Sequence, residues 1–141
     1  MVRLHNRTAA FFGGGEHTGN LGSVFKLTRS GSGYTQSFVY KFKGSSDGSN
    51  PYGGLVLGKH GVLYGTTAAG GHGNAQYGTH GTVFTLTLSG SSFQHRVLHR
   101  FTMREGTNPQ GDVILDKLGT LYGTATLRGN GGWGTAFKLA P

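Results

Sequence analysis

The feature that most restricts this fold is an internal repeat. Leu63-Tyr64-Gly65-Thr66-Thr67 is followed, across a glycine-rich loop, by Gly81-Thr82-Val83-Phe84. The first motif returns as Leu121-Tyr122-Gly123-Thr124. The second occurs as Gly22-Ser23-Val24-Phe25 and again as Gly134-Thr135-Ala136-Phe137. Phe84 lies 59 residues after Phe25, while Tyr122 and Asn108 lie 58 residues after Tyr64 and Asn50. A period of roughly 50 belongs to solenoids and propeller blades, where each unit buries its apolar face only against the next. Such a chain folds by stacking copies of one element.

The units read as strands. Tyr34, Gln36, Phe38, Tyr40 and Phe42 alternate with Thr35, Ser37, Val39, Lys41 and Lys43. In the second copy Phe93, His95, Val97, His99 and Phe101 alternate with Gln94, Arg96, Leu98 and Arg100. A period of two predicts a half-buried strand with aromatics on one face and basic residues on the other. Asp47-Gly48-Ser49-Asn50-Pro51 and Glu105-Gly106-Thr107-Asn108-Pro109 then mark tight turns. Gly54-Leu55-Val56-Leu57 and Asp112-Val113-Ile114-Leu115 follow as short buried-type strands, and no segment shows helical periodicity. Residues 4–22 align without gaps on 63–81, so the opening is expected to be a decayed copy of the Leu-Tyr-Gly-Thr strand.

Four strand types per repeat is the number in a propeller blade. The expected fold is all-β: about two and a half four-stranded repeats in one domain spanning 1–141. Its units run over about 4–62, 63–120 and a partial 121–141. Two blades do not close a ring, so the arrangement is a propeller-like fragment or, alternatively, a compact β-sandwich.

From Gly22 to Phe137 this succession of motifs resembles the bacterial tandem repeat called GloVer. The resemblance implies a β-rich repeat architecture and an exported or surface-anchored setting, and it supplies no catalytic residues. Chains of that family usually carry many repeats and a sorting tail, whereas about two and a half repeats and no tail are read here. Met1–Arg7 is basic but lacks the apolar run of a secretory signal. Localisation is therefore not fixed by the sequence.

Thirteen Lys and Arg against five Asp and Glu give a formal charge of +8. Such a balance suits a polyanion such as nucleic acid or an acidic glycan, or simply keeps strand edges apart. The candidate binding residues are Lys41, Lys43, Arg96 and Arg100, joined by His80 and Trp133, which share one repeat position. His72 lies across the same glycine loop from His80. The absence of cysteine excludes a disulfide framework and a thiolate nucleophile. No stretch of 18 apolar residues is present to span a membrane.

Gly44-Ser45-Ser46-Asp47-Gly48 matches the G-x-S-x-G pattern of a nucleophile elbow, but no helix is predicted after it. Ser46, His95 and His99 are the catalytic candidates for an esterase- or lactonase-type hydrolase. His95 and His99 lie about 13 Å apart along a strand, too far to share an ion directly. Asp47, Asn50, Glu105 and Asn108 offer oxygens for calcium, or close turns on their own backbone. The expectation is a non-catalytic binding or assembly module for an acidic glycan or other polyanion, with a cation-dependent hydrolase as the rival. No cofactor is expected, calcium being the alternative. The repeats begin and stop mid-unit, so self-association into a homo-oligomer through uncovered edges is expected.

Overall fold

The computed structural model describes residues 21–71 and 80–140, and the backbone of two short strands, β1 (Val2–Leu4) and β2 (Arg7–Ala9). Where the alignment predicts one strand beginning at Leu4, the chain forms the antiparallel β1–β2 hairpin. The remainder of that copy before Leu21 and His72 lie outside the described residues.

A first sheet consists of β3 (Ser23–Ser30) and β4 (Gly33–Lys41). A central sheet is ordered β5 (Val56–Leu57), β6 (Leu63–Thr67), β7 (Thr82–Ser89) and β8 (Ser92–Arg100). A third sheet holds β9 (Ile114–Leu115), β10 (Leu121–Ala125) and β11 (Thr135–Leu139) in sequence order. All strand pairs are antiparallel. The fold is all-β; among the described residues the only helical turns are two 3-10 turns, Ser45–Asp47 and Lys59–Gly61, and no closed ring is formed.

The register explains the recurring motifs. Gly65 sits directly across from Phe84, and Gly123 across from Phe137. A Cβ on Gly65 would meet Phe84 Cζ at 2.8 Å, and one on Gly123 would meet Phe137 Cζ at 2.6 Å. Each aromatic ring therefore lies over the glycine of its neighbour strand, a close approach that only glycine allows.

The sheets stack through one interface made twice. Val24, Phe42, Leu63, Phe84 and Leu86 form the core between the first and central sheets. Val83, Phe101 and Leu121, with Phe137 and Leu139 packed on them, form the core between the central and third sheets. Each residue of the second set stands one repeat after its counterpart in the first. The central sheet is thus covered on both faces, so β7 reads as an almost continuous buried run over its first five residues.

The Asn-Pro turns tie consecutive sheets together. Asn50 N–H donates to Leu21 O at 2.9 Å, and Asn50 O accepts from Ala68 N–H at 2.9 Å. Asn108 repeats the pattern with His80 O at 3.0 Å and Thr126 N–H at 3.3 Å. Both asparagines take left-handed backbone angles, φ 58° and 61°, a conformation asparagine tolerates better than most residues.

One expectation is corrected by two bulges. The register slips between Val24 and Phe25, which pair with Tyr40 and Phe38, and between Val83 and Phe84, which pair with His99 and Val97. Directly paired residues share a face, so the extra residue, Val39 or Leu98, turns everything after it over. Phe38 lies on the outer face with Phe25, while Tyr40 and Phe42 face the central sheet. Likewise His95 faces the first sheet, and His99 and Phe101 face the third. The single aromatic face read from simple alternation does not exist.

Candidate functional site

Tyr40, Asp47 and His95 meet at the seam between the first and central sheets. The bulge at Val39 turns Tyr40 inward, the 3-10 turn Ser45–Asp47 brings the carboxylate, and β8 brings the imidazole opposite Leu86. Asp47 Oδ1 accepts from the Tyr40 hydroxyl at 2.8 Å and lies 3.1 Å from His95 Nδ1. Asp47 Oδ2 accepts from the Lys43 backbone N–H at 2.8 Å. The Tyr40 ring stacks on the imidazole at 4.5 Å, with Phe42 and Phe84 at 5.6 and 5.5 Å. The His95 side chain is only 7% exposed, and its Nε2 is buried with no hydrogen-bond partner among the described residues.

A carboxylate this close favours a charged imidazole, yet the net shift runs the other way. Burial lowers the His95 pKa and outweighs the pull of Asp47, with Arg100 and Lys43 pushing further down. His95 is therefore neutral, with Nδ1–H donating to Asp47. Burial also raises the Tyr40 pKa, helped by its hydrogen bond to Asp47 and by the charge of that carboxylate.

This assignment sets a pH dependence. The folded state binds the His95 proton more weakly than the unfolded chain does. Its contribution is complete above the ordinary imidazole pKa of about 6.5 and is lost as pH falls from there toward the lowered pKa of the folded state. The expected loss has a limiting slope of about 1.4 kcal/mol per pH unit, measured as urea midpoints between pH 7.5 and 5. His95→Gln should flatten the profile; an unchanged slope would show that other groups carry it.

The second seam repeats half of this cluster. His99 Nε2 lies 3.4 Å from Glu105 Oε2, which also accepts from Thr102 N–H at 3.0 Å and Thr102 Oγ1 at 2.8 Å. Burial alone would raise the Glu105 pKa, but the Thr102 bonds and His99 together lower it. His99 and Glu105 stand where Tyr40 and Asp47 stand one repeat earlier. Among the described residues nothing occupies the place of His95. A cavity of about 330 Å³ lies there instead, lined by His99, Phe101, Arg104, Glu105 and Phe137.

The other residues singled out by sequence are dispersed. Lys43 and Arg100 flank the first seam, where Arg100 Nη2 donates to Ser46 O at 3.4 Å. Lys41 Nζ lies 4.3 Å over the Phe38 ring on the outer face. Arg96, paired with Thr85, faces the third sheet, so Arg96 and Arg100 stand on opposite faces of the central sheet. His80 is 8% exposed, whereas Trp133, at the same repeat position, is 94% exposed.

Ser46 lies in a three-residue 3-10 turn with no α-helix behind it, and among the described residues no hydroxyl reaches His95 Nε2. The carboxylates of Asp47 and Glu105 serve turn and seam hydrogen bonds. Asn50 occupies its turn, and Asn108 bonds Thr126 Oγ1 at 3.0 Å and Gln110 Nε2 at 3.3 Å. Among the described residues no three His, Asp or Glu side chains are placed to share an ion. Nor is any helix there long and apolar enough to cross a membrane.

Sequence reading missed the Tyr40–Asp47–His95 cluster because its imidazole comes from the following repeat. The available signal was the phase: an inward ring at 40 and 99 and an acid at 47 and 105 recur together.

Comparison with curated proteins and with solved structures gave no match. The Gloeobacter/Verrucomicrobia repeat matches residues 5–141, and with stacked interfaces repeating at its period, the chain belongs to that repeat family.

Proposed function

We propose that this chain is a non-catalytic repeat module that binds an acidic glycan or similar polyanion along the seam between its first two sheets. The observation that carries this reading is the convergence of Lys43 and Arg100 on one seam of a chain with formal charge +8. The neighbouring imidazole is uncharged, and the single Asp47 carboxylate beside it offsets only one of the two positive charges. The Asp47–His95 pair gives the rival hydrolase reading its best support. Against it, the atom that would accept a proton is sealed among aromatic rings.

Heparin retention at low salt tests the proposal. Lys43→Gln with Arg100→Gln is expected to lower the eluting salt and reduce the slope of log affinity against log salt by about 1 to 2. Lys41→Gln with Arg96→Gln, whose charges stand on separate faces, should change retention much less. Equal losses in both pairs would assign retention to overall charge.

A further inference from the structure

We propose that Asn130 is a site of spontaneous covalent modification, at which the Gly131 backbone nitrogen attacks the side-chain amide and converts it to aspartate and isoaspartate. Asn130-Gly131 is the one Asn-Gly pair in the sequence. It forms the middle of a turn in the β10–β11 loop, closed by Gly132 N–H donating to Gly129 O at 3.1 Å. The turn is held at its base by Gly129 N–H to Met103 O at 3.1 Å and Gly134 N–H to Arg128 O at 2.8 Å. Both residues of the pair are exposed. Among the described residues, neither the Asn130 side-chain amide nor the Gly131 N–H makes a hydrogen bond. Electrophile and nucleophile are thus adjacent in the chain, in water, and not engaged elsewhere. Attack within one chain gains from proximity, and glycine gives the backbone the freedom to reach the attacking geometry.

The reaction needs only water. The Gly131 nitrogen loses its proton and bonds to Asn130 Cγ; the Cγ–Nδ2 bond breaks and ammonia leaves with that proton, closing a cyclic succinimide. Water then opens the ring at one of its two carbonyls. Opening at Cγ restores the ordinary backbone with an aspartate side chain. Opening at the main-chain carbonyl leaves the chain running through Cγ, as isoaspartate. Either product carries a new carboxylate and lowers the formal charge of +8 by one. The other asparagines lack the same chemistry. Asn50 and Asn108 precede Pro51 and Pro109, whose nitrogen carries no proton, and the Asn108 amide already donates to Thr126 Oγ1. Asn6, Asn20 and Asn74 precede Arg7, Leu21 and Ala75, each with a Cβ that crowds the attacking nitrogen. Packing does not require glycine at 131: its φ is negative, and a Cβ built on it meets nothing within 4 Å. An alanine there tests the chemistry without straining the fold.

This site is separate from the polyanion seam, and its test does not depend on heparin retention. The intact folded chain is incubated at pH 8 and at pH 6 and then digested with trypsin. The peptide spanning residues 129–138 is followed by chromatography and mass spectrometry. It is expected to give way to two products of equal mass, aspartate and isoaspartate, each with the amide exchanged for an acid. Conversion should be faster at pH 8, because the attacking nitrogen must lose its proton. Gly131→Ala should slow it about tenfold or more, with circular dichroism verifying that the variant folds. Conversion no faster than in the peptides carrying Asn50 and Asn108 would overturn the proposal, as would an unchanged rate in Gly131→Ala. Conversion seen only in urea would also overturn it, showing that the folded turn withholds the pair.

Discussion

Gly81→Ala is expected to destabilise the protein by about 3 kcal/mol or more, read as a lowered urea midpoint with an unchanged slope. Two causes add at this position. The backbone has φ +95°, which is costly for any residue with a Cβ. The added methyl also collides with Thr67 O and lies 2.6 Å from Pro109 Cδ. Neither neighbour can yield: one is strand backbone and the other is the ring that closes the connection to the third sheet. Gly90 separates the causes, because it has φ +61° at the β7–β8 turn with nothing within 4 Å of its built Cβ. Gly90→Ala should therefore cost only about 1 kcal/mol. Equal costs at the two sites would mean that close approach between sheets contributes nothing.

Gly22 and Pro51 repeat this contact one unit earlier, which shows how the repeat was legible in the sequence. Glycine-aromatic and glycine-proline contacts fix residue identity at set phases, so the motifs survive in the chain as spelled patterns. The all-β class and the positions of the recurring strands followed from those phases. The faces did not, because alternation is a local rule and a bulge breaks it at one residue. The break had a trace: Phe38-Val39-Tyr40 and Val97-Leu98-His99 are runs without the polar residue that alternation demands. Lys41, Lys43, Arg96 and Arg100 looked like one basic face for the same reason. Only Lys43 and Arg100 are brought together, across 57 residues of chain, by the stacking of two sheets. Trp133 and His80 share a phase but differ in exposure.

Phe84→Ala tests whether stacking and the buried imidazole are one device. Phe84 has no exposed surface, packs edge-on against Phe42 at 5.1 Å and lies over Gly65. Truncation leaves a hole in the first core, and a loss of about 3–5 kcal/mol is expected. Phe137 is its counterpart one repeat on, but it borders the open 330 Å³ cavity and is only partly buried. Phe137→Ala should cost about 2 kcal/mol, in proportion to the smaller area it buries. The second signature is electrostatic. The Phe84 ring is part of the wall that keeps His95 Nε2 dry, and a cavity beside a bare acceptor admits water. Water there relieves the desolvation that lowers the His95 pKa, which moves back toward its ordinary value. The stability loss below about pH 6.5 should therefore be shallower in Phe84→Ala and unchanged in Phe137→Ala. Similar costs and parallel pH profiles in the two variants would separate the core from the imidazole and leave the seam cluster without its physical basis.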